Sequence, residues 1–82
     1  MAYRSEKIKH GLAVKEIMVA DTCTLYALGK MLNGSYYHRF TVVNDRLETV
    51  ATLTETALEN CLIRFPPDTA LCALPPDVFD KR

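Results

Sequence analysis

The sequence predicts an α+β fold, a two-layer sandwich. Its central antiparallel hairpin, residues 36–43 and 47–53, packs on two helices, residues 22–33 and 55–65. Three observations carry this. Two apolar-rich runs flank a short polar break, Asn44-Asp45-Arg46, which is a hairpin pattern. Before it, Leu25, Leu28 and Leu32 recur at i, i+3 and i+7. After it, Leu58, Cys61, Leu62 and Phe65 fall at i, i+3, i+4 and i+7. Each set lies on one face of a helix.

Residues 1–11 read as a basic N-terminal arm that ends at Gly11, residues 12–74 as one α+β domain, and residues 75–82 as a proline-containing tail. Residues 12–20 are ambiguous. As a strand, Ala13, Lys15, Ile17 and Val19 share a face, and Lys15 spoils it. As a helix, Val14, Ile17 and Met18 share a face. The expectation taken here is a helical turn over 14–18 followed by an extended link. Asp21-Thr22 then supplies a helix start, because either side chain accepts from an unpaired first-turn N–H. Gly29 costs about 1 kcal/mol against Ala inside the helix and suggests close approach of the neighbouring sheet. Asn33-Gly34 ends the helix.

In the first hairpin strand Tyr36, His38, Phe40 and Val42 take the core side, and Tyr37, Arg39, Thr41 and Val43 the other. In the second, Leu47, Thr49, Ala51 and Leu53 oppose Glu48, Val50 and Thr52. Thr52 and Glu55 have capping-box spacing, with Thr54 as the rival cap. Pro66-Pro67 stops the second helix. Residues 69–74 read either as a helical turn capped by Asp68 or as an edge strand. If both 12–20 and 69–74 are strands, the order becomes βαββαβ, the ferredoxin-like pattern, which is the alternative topology. Phe79 is a candidate anchor on the body of the protein or on a partner.

Eighty-two residues with zero net charge make one small domain. No whole-protein field draws it to nucleic acid or anionic lipid. The charge is uneven: residues 1–39 carry six basic and three acidic groups, and residues 40–82 four basic and seven acidic. The three cysteines, Cys23, Cys61 and Cys72, include no CxxC pair. This disfavours a disulfide framework or a zinc site and fits a reducing, cytoplasmic setting. No apolar run reaches the roughly 18 residues of a membrane span.

No catalytic signature stands out. GxSxG, HExxH and Gly-rich phosphate loops are missing, and the three glycines are dispersed. No cofactor and no metal is expected. His38 beside Tyr36, Tyr37 and Arg39 is a general-base candidate, but a sheet histidine with a satisfied hydrogen bond is the simpler reading. Tyr37, Arg39 and Phe79 are the candidate interaction surface, since Tyr and Arg are enriched at interface hot spots. The cluster Tyr36-Tyr37-His38-Arg39-Phe40 also admits stacking with single-stranded bases, with Arg4, Lys7, Lys9 and Lys15 as further phosphate contacts.

Residues 14–58 resemble a cystathionine-β-synthase (CBS) domain. The match runs through Val14-Lys15-Glu16-Ile17-Met18, Thr24-Leu25-Tyr26-Ala27-Leu28, His38-Arg39-Phe40-Thr41-Val42-Val43-Asn44-Asp45, and Val50-Ala51-Thr52-Leu53-Thr54-Glu55. The resemblance implies a β-α-β-β-α regulatory module that works in pairs, so a single copy would dimerise. It also implies an adenine nucleotide held near Thr52 and Glu55. Three functional expectations follow. The first is a small non-enzymatic regulatory or adaptor protein acting through protein–protein interaction, with another protein or with itself as a homodimer. The second is a CBS-like half-module that dimerises and senses an adenine nucleotide. The third is a nucleic-acid binder using the basic arm and the hairpin.

Overall fold

The computed structural model describes residues 12–79, in the order β1 (Ala13–Ala20), α1 (Leu25–Gly29), β2 (Tyr36–Val43), β3 (Thr49–Thr54) and α2 (Glu55–Arg64). Short 3-10 turns at Leu71–Ala73 and Pro76–Val78 follow. The basic arm read over residues 1–11 lies outside the described residues. The sheet is mixed, in the order β1-β2-β3: β1 runs parallel to β2, and β3 antiparallel. The helices pack on one side of it, giving the two-layer α+β sandwich that the sequence predicts.

Residues 13–20 are a strand, which corrects the helical turn expected over 14–18. All eight residues of β1 pair in register with β2, from Ala13 with Tyr36 to Ala20 with Val43. Ile17 and buried Val19 face the core, while Val14 and Met18 point away from it. Lys15, the residue that spoils the strand pattern, is exposed, with its ammonium 5.2 Å from the Tyr36 ring centroid. Local periodicity was too short to reveal the parallel pairing that decides this element.

The first helix is shorter than the expected 22–33. Its cap is Thr24, whose Oγ1 accepts from the Ala27 N–H, not Asp21 or Thr22. The Asp21 N–H instead donates to the Val43 carbonyl at 2.8 Å. At the other end the Asn33 N–H is drawn out of the helical pattern to the His38 ring. The C-terminal segment supports the start of α1: the Leu25 and Tyr26 N–H groups donate to the Thr69 and Pro67 carbonyls. These are orphan donors of a first helical turn. Residues 69–74 form only an isolated bridge, Thr24 with Ala70, and the first 3-10 turn. No fourth strand forms among the described residues, so the ferredoxin-like alternative is not adopted.

The hairpin loop is longer than Asn44-Asp45-Arg46. Asn44 Oδ1 accepts from the Arg46 and Glu48 N–H groups, and Leu47 adopts a positive φ of 64°. Leu47 is therefore an exposed loop residue, not a core-facing strand residue. The register shifts between Val42 and Val43, the mark of a bulge. Thr54, not Thr52, caps α2, accepting from the Ala57 N–H. Phe40, Leu25, Leu28, Leu53, Leu58 and Leu71 are the large apolar side chains of the core. Each contributes about 1.5–3 kcal/mol by burial. Val78 and Phe79 pack against this core.

Candidate interaction surface

Strand alternation divides the sheet into two faces. His38, Phe40 and Val42 of β2, Leu53 of β3 and Val19 of β1 are buried on the helix side. The opposite face carries Val14, Glu16 and Met18 from β1, Tyr37, Arg39 and Thr41 from β2, and Val50 and Thr52 from β3. Val14, Glu16, Met18, Arg39 and Val50 are exposed on it, whereas Val43 at one end is buried and the Tyr37 hydroxyl meets α2. Val14 is 57 % exposed, Met18 65 % and Val50 53 %, a large apolar exposure for one face of a small domain. Register places Met18 beside Thr41, and Thr41 beside Thr52. Glu16 lies beside Arg39, with a guanidinium–carboxylate distance of 3.9 Å. So exposed a pair stabilises little, and both charges remain available at the surface.

The other side of β2 holds a buried polar cluster. His38 and Glu55 are 0 % and 3 % exposed. Glu55 Oε1 accepts from the His38 backbone N–H at 2.9 Å and lies 2.7 Å from the ring Nδ1. The Asn33 N–H donates to Nε2 at 3.2 Å. Because Nε2 accepts, the ring proton belongs on Nδ1, where it donates to Glu55. The imidazole stacks on Phe40 with the planes 13° apart, and meets Tyr36 edge-on. Next along α2, Thr56 Oγ1 lies 3.2 Å from the Tyr37 hydroxyl. The first turn of α2 thus grips two successive residues of β2.

The residues singled out in the sequence fall into three places. Tyr37, Arg39 and Thr52 share the open face. Phe79 does not; it is half-buried against the core. Glu55 is on the helix side, its carboxylate engaged by His38, so Thr52 and Glu55 are not brought together. Lys15 and Arg39 lie on opposite faces, and Arg4, Lys7 and Lys9 lie outside the described residues. Sequence reasoning placed Val50 opposite core-facing Leu53 but did not join it to the candidate surface, and it missed Val14 and Met18 as surface residues. The signal for Val14 and Met18 was available only once 13–20 is read as a strand whose outer positions alternate with Ile17 and Val19. It also missed Glu55 as the partner of His38, since the pair is 17 residues apart. Among the described residues no group of three or more His, Cys, Asp or Glu is placed to hold a metal ion, and no helix is long and apolar enough to cross a membrane. No family model, curated protein or solved structure matches the chain.

Proposed function

We propose that this chain is a small non-enzymatic regulatory or adaptor module that acts by protein–protein contact through the open face of its sheet. One observation carries the reading. Val14, Met18 and Val50 expose apolar surface on a single face, beside Tyr37 and the charges of Arg39 and Glu16. Apolar anchors with Tyr and Arg beside them have the composition of a contact surface. The sheet supplies rigidity, so little ordering entropy is lost on binding. The test is whether lysines placed at Met18 and Val50 abolish partner capture while the fold persists.

A second reading is a CBS-like half-module that dimerises and binds an adenine nucleotide. The β-α-β-β-α order, with β1 and β2 parallel, supports it. The placement of Glu55 argues against the expected nucleotide contacts, because its carboxylate is buried on His38. Thermal unfolding with and without millimolar ATP or AMP decides the matter. A ligand bound only by the folded state raises the midpoint, and an unchanged midpoint rejects this reading.

A further inference from the structure

We infer that His38 is a proton-driven latch: uptake of a second proton at its Nε2 releases the Asn33 end of the turn formed by Asn33, Gly34 and Ser35 from the imidazole ring, while the turn stays joined to β2 through Tyr36. In the structure Nε2 is an acceptor, holding the Asn33 N–H at 3.2 Å, and Nδ1 faces Glu55 at 2.7 Å. A proton from solvent added to Nε2 converts that acceptor to a donor. Two N–H groups then face each other, and the Asn33 bond is lost. The contact to Glu55 is kept, now as an imidazolium–carboxylate pair. The turn itself stays intact, because the Ser35 N–H donates to Asn33 Oδ1 and the Tyr36 N–H to the Asn33 carbonyl. It therefore moves as a unit and uncovers Nε2.

The charged groups that face the ring come from two elements. From α2 comes Glu55. From β1 comes Lys15, the register partner of His38, whose ammonium lies over Tyr36. β3 and α1 place the apolar Leu53, Leu25 and Leu28 in this core. The fully buried ring cannot disperse its added charge into water without the turn opening. The inference does not depend on the contact-surface reading, since it concerns the opposite side of β2.

The experiment is residue-resolved NMR on the full chain. At neutral pH the His38 ring should show a protonated Nδ1 and a bare Nε2. On acidification, protection of the Asn33 amide should fall roughly tenfold, the weight of about one hydrogen bond, with the same midpoint as ring protonation. Protection of the Phe40 and Leu53 amides should hold. A His38→Gln variant, which can accept from Asn33 and donate to Glu55 but takes up no proton, should show a flat Asn33 profile. Four results overturn the latch. They are an Nε2–H tautomer at neutral pH, a ring that does not titrate while the fold persists, Asn33 protection that ignores ring protonation, and simultaneous loss of Phe40 protection by global unfolding. Should the variant fail to fold, the wild-type titration alone still decides.

Discussion

Glu55 takes two hydrogen bonds from one residue: the backbone N–H of His38 at 2.9 Å and its ring Nδ1–H at 2.7 Å, both on Oε1. A residue at the start of α2 thereby fixes the backbone and the side chain of the central strand together. Its neighbour Thr56 reaches Tyr37, so the same helical turn also steadies a residue of the open face. The buried cluster and the candidate surface are two sides of one strand.

Removing that carboxylate should be costly. Glu55→Ala leaves two buried N–H donors of His38 without this acceptor, and about 3 kcal/mol of stability should be lost. Glu55→Gln, which retains an acceptor oxygen, should lose less. Denaturant unfolding of both variants measures this. Equal stability of wild type and Glu55→Ala would show that the contact does not hold the strand.

The two candidate caps of α2 separate cleanly. Thr54→Ala removes the oxygen that accepts from the Ala57 N–H and should cost about 1 kcal/mol. Thr52→Ala, on the open face, should change stability by less than about 0.5 kcal/mol. Unfolding curves in the reverse order would place the cap at Thr52.

Gly29 faces α2, not the sheet. A Cβ built there lies 3.6 Å from Leu62 Cδ1, an ordinary contact. Gly29→Ala should therefore be tolerated and raise stability by about 0.5 kcal/mol through reduced freedom of the unfolded chain. A lower thermal midpoint would indicate crowding between the helices.

The cysteines should react in the order of their exposure. Cys72 is exposed, Cys23 half-buried and Cys61 buried. Burial pushes the Cys61 thiol above its ordinary range; nearby Arg64 works against this and Asp77 with it. Since the thiolate is the reactive form, Cys61 should label last with a thiol reagent at pH 8. The sign for stability follows. A group whose folded value is raised contributes stability fully below its unfolded value, and that contribution is lost as pH rises through the folded value. Cys61 should therefore weaken the fold only in alkaline solution, and Cys61→Ala should flatten that alkaline loss. Fast labelling of Cys61 in the native protein would contradict its burial.

Much of the architecture was legible in local pattern. The alternation through His38, Phe40 and Val42, and the helical spacing of Leu58 and Cys61, both survive in the core. What was hidden depended on distant partners. Residues 13–20 became a strand because β2 lies beside them, with no short-range signal stronger than Ile17 and Val19. The first helix ends at Gly29, after which the Met31 and Leu32 N–H groups turn to the Leu28 and Gly29 carbonyls and the Asn33 N–H goes to the His38 ring. The loop took in Leu47 because Asn44 organises the backbone as far as Glu48. For the surface, Tyr37 and Arg39 were readable from strand parity. Phe79 was readable only as an apolar residue needing cover, and the core supplies some of it.

The most direct test of the contact surface compares three immobilised proteins of matched thermal stability: wild type, a Met18→Lys/Val50→Lys double variant, and an Ile63→Lys control. Ile63 is 83 % exposed on α2, away from the open face. Each is challenged with extract of the native host and with soluble copies of the chain itself. The account predicts that wild type and Ile63→Lys retain the same stoichiometric partner. The double variant should lose at least roughly tenfold in capture, as expected when central apolar anchors are replaced by charge. Equal capture by all three, or none by any, would contradict the assignment of the sheet face as the working surface.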